Sequence, residues 1–129
     1  MLRDRLAEVE NLLERSPFVL ARDLEYFITS SITAYIKGEV LFADGSRLSL
    51  FEHFRRKDRR LEMTDYRYHY MAKDDSIIFR YDNAPHHPHL EHFPFHKHLQ
   101  KGEVVPANLP GFEAILEEIE ASIVKKITK

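Results

Sequence analysis

In runs between Ile32 and Asp82 the chain changes character at every second residue, and this alternation limits the fold more than any other feature of the sequence. Ile32, Ala34, Ile36, Val40 and Phe42 alternate with Thr33, Tyr35, Lys37 and Glu39. Successive side chains of a strand point to opposite faces, so the run predicts a strand with one buried and one solvated side. Asp44 followed by Gly45 is a strong hairpin signal, because both residues tolerate the positive φ that a tight turn demands. Leu48 and Leu50 begin the return strand. A second alternating run from Leu61 to Met71, a turn at Lys73, Asp74 and Asp75, and a strand from Ile77 to Asp82 make another hairpin. Two hairpins in series predict an antiparallel sheet, with Leu24 to Thr29 adding a strand or lengthening the first.

Helical spacing frames this sheet at both ends. Leu2, Leu6, Val9 and Leu13 predict an amphipathic helix that stops near Ser16 and Pro17. Phe112, Ile115, Leu116, Ile119 and Ile123 share one face of a closing helix, with Glu113, Glu117, Glu118 and Glu120 elsewhere on it. From Asn83 to about Pro110 there is no clean period, and five of the six prolines fall there, which predicts a long His/Pro-rich loop. The expected fold is α+β: an antiparallel sheet of four to five strands with an N-terminal and a C-terminal helix. At 129 residues and 43% hydrophobic content, residues 1–129 are expected to form a single domain.

Composition removes several classes of function. With no cysteine, disulfides and thiolate metal sites are excluded. No run of about 18 apolar residues is present and the first fifteen residues alternate charge with leucine, which predicts a soluble cytoplasmic protein without a signal segment or membrane contact. A formal net charge of −2 lacks the basic footprint of a typical nucleic-acid-binding domain, so any phosphate contact must be local.

Local candidates exist on the second hairpin. Tyr66, Tyr68 and Tyr70 share one face and Asp65, Arg67 and His69 the other, while Arg80 and Asp82 oppose Ile77, Phe79 and Tyr81. Arg67, His69, Arg80 and Asp82 are thus expected on one surface, offering guanidinium for phosphate, imidazole for proton transfer and carboxylate to orient it. The same pattern also describes an ordinary solvated face with cross-strand ion pairs. Arg55, Arg56, Lys57, Arg59 and Arg60 place five cations in an expected loop between hairpins, suited to a phosphate backbone, an acidic partner or plain solvation.

Six of the eight histidines fall in one stretch: His86, His87, His89, His92, His96 and His98. Pro85, Pro88 and Pro94 between them exclude a helix and stiffen the chain. His87 with His89, and His96 with His98, have the spacing that aims two imidazoles the same way on an extended backbone. These four suit zinc, nickel or manganese when a carboxylate such as Asp82, Glu91 or Glu103 completes the sphere. Imidazole is equally the general acid and base of neutral solution. His69, His86, His87, His96 and His98, with Asp82 as orienting carboxylate and Arg67, Arg80 and Lys97 on phosphate, therefore form a metal-free set for cleaving RNA through its 2′-hydroxyl. A third reading has the histidines bonding loop carbonyls at the sheet's edge.

The string Phe79, Arg80, Tyr81, Asp82, Asn83, Ala84, Pro85, His86, His87, Pro88, followed by Phe93, Pro94, His96, Lys97 and His98, resembles the TumE-like family of prokaryotic toxin–antitoxin proteins. The likeness extends to the Tyr66–Tyr70 strand, the Asp44, Gly45, Ser46 hairpin with Glu52 after it, and the acidic closing helix. It implies the toxin half of a type II module, neutralised by a cognate antitoxin that usually carries a helix-turn-helix, and it does not imply a mechanism. Phe95 departs from the family string, which commonly has a histidine there. The functional expectations are an RNA endonuclease using histidine acid–base chemistry, or a non-enzymatic metal-binding regulatory or interaction module. Monomer and homodimer are both open.

Overall fold

The computed structural model describes residues 2–83, 95–107 and 109–128. One antiparallel sheet of seven strands runs in chain order: β1 (Val19–Ile28), β2 (Thr33–Phe42), β3 (Arg47–Lys57), β4 (Arg60–Met71), β5 (Ile77–Asp82), β6 (His96–Leu99) and β7 (Val104–Pro106). Helix α1 (Leu2–Arg15) precedes it and α2 (Phe112–Ile127) follows. Among the described residues, no helix is long and apolar enough to cross a membrane.

The alternation decides which face is covered. Ile36, Val40, Leu48, Leu50, Tyr68 and Phe79 bury against Val9 and Leu13 of α1 and against Phe112, Ile115, Ile119 and Ile123 of α2. Each such side chain contributes roughly 1.5–3 kcal/mol when fully buried. Both helices lie on this one face: the Tyr68 and Phe112 rings are 6.3 Å apart, and Arg5 reaches Glu52 on β3. Helix α1 stops where Pro17 restricts Ser16 to extended backbone, and the Ser16 hydroxyl donates to Glu120 Oε2 at 2.5 Å, joining the two helices. On β2, Gly38 lies opposite Leu24, where an added Cβ would sit 2.7 Å from the Asp23 carbonyl oxygen.

Two expectations are corrected. The sheet has seven strands instead of four to five: β1 begins at Val19, and β6 and β7 occupy part of the expected Asn83–Pro110 loop. Strand β6 escapes a search for alternation because Lys97 holds the helix-facing position. Its Nζ lies 4.7 Å from the Tyr81 ring centroid and 5.3 Å from that of Phe79, so a cation stands where an apolar residue would mark the period. The basic segment Arg55 to Arg60 is also no inter-hairpin loop. Strands β3 and β4 continue through it, pairing Arg55 with Glu62 and Lys57 with Arg60, and turn at Asp58 with φ 59°. Exposure on both sides erases the period that would reveal the strand. His86, His87, His89, Glu91 and His92 lie outside the described residues.

Candidate functional site

Register brings the polar faces of β4, β5 and β6 into two rows. Arg67 pairs with Asp82 and Asp82 with His96; His69 pairs with Arg80 and Arg80 with His98. Strands are spaced about 4.8 Å apart, so each row spans about 10 Å across the face that carries no helix.

The Asp82 carboxylate is the hub. Arg80 Nε donates to its Oδ2 at 2.8 Å, His98 Nε2 lies 3.5 Å from the same oxygen, and His96 Nε2 lies 2.6 Å from Oδ1. The His96 and His98 rings meet edge to face, with centroids 4.9 Å apart. Accessibility is graded: Asp82 and His96 are each 2% exposed, whereas the side chains of His98 and Arg80 are 26% and 33% exposed. Asp82 is thus placed to orient its neighbours, and His98 and Arg80 to meet a ligand.

His69, in the second row, has a different environment. Burial lowers its pKa first, the Arg80 and Arg67 guanidiniums lower it further, and Glu39 opposes them. It is held as the neutral imidazole, the form that accepts a proton. Tyr66 on the helix-facing side has its phenol pushed up to about 12 by burial and then by Asp82, so it stays protonated beside the carboxylate.

Asp82, His96 and His98 each offer a ligand atom within 4.8 Å of the others, a two-histidine, one-carboxylate set of the kind that holds a divalent transition metal. The guanidinium of Arg80 on the same carboxylate, with Arg67 in register beside it, sets fixed positive charge against a cation there and in favour of an anion. Lys97 lies on the opposite face, where Nζ donates to Glu118 Oε2 at 2.9 Å. Glu103 is exposed and stands outside the three-residue set. His86, His87 and His89, the other expected site histidines, fall outside the described residues. Two features of this face were not singled out from the sequence: the Tyr35 and Phe51 rings, large aromatics standing at the polar phase of their strands, which was the signal available.

No curated protein and no solved structure matches the chain. A family model described as Toxin TumE matches residues 9–127, from the middle of α1 to the last turn of α2, including Asp82, His96 and His98. The match covers most of the 129 residues, and the chain therefore belongs to the TumE toxin family.

Proposed function

We propose that this chain is the toxin of a toxin–antitoxin module and that it cleaves RNA by histidine acid–base chemistry on the helix-free face of the sheet. The observation that carries this reading is the disposition of His69 and His98 on either side of Arg80, one held neutral and the other sharing the Asp82 carboxylate. His69 takes the proton of the ribose 2′-hydroxyl and the 2′-oxygen attacks phosphorus. Arg80 and Arg67 neutralise the non-bridging oxygens. The bond from phosphorus to the 5′-oxygen breaks, and His98 as imidazolium gives its proton to that oxygen, with Asp82 holding the ring. The products are a 2′,3′-cyclic phosphate and a 5′-hydroxyl. General acid and base each contribute about 10²–10⁴-fold. The partner is a cognate antitoxin, expected to carry a helix-turn-helix.

His69→Gln and His98→Gln test this reading through growth arrest on induction and RNA cleavage in a chelator. Each substitution is expected to lower cleavage by at least about 100-fold, with cyclic phosphate ends from the wild type. Undiminished cleavage in both variants, or products with 5′-phosphate ends, refutes it. The convergence of Asp82, His96 and His98 supports a second reading, a non-enzymatic module organised by a divalent ion. About one zinc, nickel or manganese per chain after exhaustive dialysis, with no RNA turnover, would favour that alternative.

A further inference from the structure

Strands β1 to β3 carry three aromatic rings on the helix-free face. Phe27 and Tyr35 stack with centroids 4.9 Å apart and planes 23° from parallel, and Tyr35 meets Phe51 at 5.7 Å. All three are half-buried, and none belongs to the core cluster or packs against it. Cations lie over the two outer rings: Lys37 Nζ is 5.3 Å from the Phe27 centroid and Arg67 Cζ 5.8 Å from that of Phe51. Large rings on a solvated face cost solubility without adding to the core, so their placement there calls for a ligand.

Register connects the rings to the candidate catalytic centre. Lys37 pairs with Phe51, Phe51 with Arg67, Arg67 with Asp82 and Asp82 with His96, one unbroken row over five strands. At about 4.8 Å per strand, Phe51 stands about 10 Å from Asp82, and Phe27 and Tyr35, which pair with each other, lie two residues along their strands from this row. A hollow of about 250 Å³, smaller than an ordinary small-molecule pocket, opens along this row between Lys37, Phe51 and Arg67, with Asp23, Glu25 and Glu39 also on its lining.

We infer that Phe27, Tyr35 and Phe51 form a stacking platform for the unpaired bases of single-stranded RNA, with Lys37 and Arg67 leading its phosphates to Arg80 and His98. The inference rests on the RNA-cleavage reading and specifies its substrate. Sheet faces that bind single strands stack two or three bases on aromatic rings and follow the backbone with cations, as this row does. Bases inside a duplex are already stacked and paired, and do not reach such rings. Glu25, which pairs with Lys37 at the end of this row, and Glu39, two residues along β2, repel phosphate and limit where the backbone can run.

The chain has no tryptophan, so Phe51→Trp introduces a single indole as a reporter on the platform. The probe is a 12-nucleotide strand carrying 2′-O-methyl groups throughout, which resists 2′-hydroxyl attack. It is expected to quench the indole saturably, whereas the same strand annealed to its complement binds at least about 10-fold more weakly and leaves the emission unchanged. Tyr35→Leu and Phe27→Leu keep apolar bulk and remove the ring. By fluorescence anisotropy each should weaken binding of the single strand roughly 5- to 100-fold, with Tm lowered by no more than about 5 °C from the lost ring contact. Equal affinity for duplex and single strand, binding without quenching, or wild-type affinity in both leucine variants overturns the inference. So does loss of antitoxin affinity alone in those variants, which would assign the face to the antitoxin. The catalytic reading fails separately: platform variants that lose binding while the wild type cleaves nothing leave the platform standing and remove the acid–base centre.

Discussion

Glu52 is the most consequential side chain in the fold that takes no part in the proposed chemistry. It is fully buried on β3, on the helix-facing side, where alternation calls for an apolar residue. Arg5 donates Nε to Oε1 at 2.9 Å and Nη2 to Oε2 at 2.7 Å, and the Tyr68 hydroxyl donates to Oε2. Burial and then the Glu52 charge push the Tyr68 phenol far above its ordinary pKa, so its proton stays in place to donate. Glu52→Ala removes all three bonds at once. Breaking a buried pair by deleting one partner costs about 3–5 kcal/mol, and a buried hydroxyl left alone accounts for about 1–3 of that. The lower part of the range applies, because the Arg5 side chain is 18% exposed and keeps Glu8 at 3.0 Å. With roughly 2.1 cal/mol/K per residue over 129 residues, a loss of about 3 kcal/mol lowers Tm by about 11 °C. Thermal and urea denaturation followed by circular dichroism read this directly. The triple variant Arg5→Met, Glu52→Leu, Tyr68→Phe should recover most of the loss, since it leaves no charge or hydroxyl unpaired. A Tm within about 3 °C of wild type for Glu52→Ala, or a triple variant as unstable as the single one, would refute the reasoning.

Two further outcomes test the faces of the sheet. The pKa of His69 is lowered by burial and by Arg80 and Arg67, so the acid limb of the cleavage rate should fall below the ordinary histidine value of about 6.5 and move up in Arg67→Gln. Because the unfolded chain takes up this proton first, stability should decline as pH falls through about 6.5 and level off below the folded pKa. His69→Gln should remove that component, and an NMR titration of the ring that shows no lowering would contradict it. Lys97→Met keeps the stem over Tyr81 and loses a partly exposed ion pair with Glu118 together with the cation's contacts with the Tyr81 and Phe79 rings, so it should cost about 1–2 kcal/mol and leave RNA affinity unchanged. A loss of affinity above about 5-fold would return Lys97 to the phosphate set.

Much of this architecture is written in short-range patterns. The helix period of Leu2, Leu6, Val9 and Leu13 and the two-residue period of β2, β4 and β5 depend only on neighbours along the chain, so sequence alone determined both helices and most of the central strands. It also determined that Arg67 and His69 share a face, and that Arg80 and Asp82 do. Tertiary structure alone decided what lies beside them. Strand β6 is four residues long with Lys97 at its apolar phase, so nothing local marks it as a strand. Its pairing with β5 sets His96 and His98 against Asp82 and turns Lys97 to the far face. The Phe27, Tyr35 and Phe51 rings likewise sit on three different strands, and the register of β1, β2 and β3 brings them together. Register is a relation between strands, selected by how the whole apolar face packs against α1 and α2, and no single segment contains it.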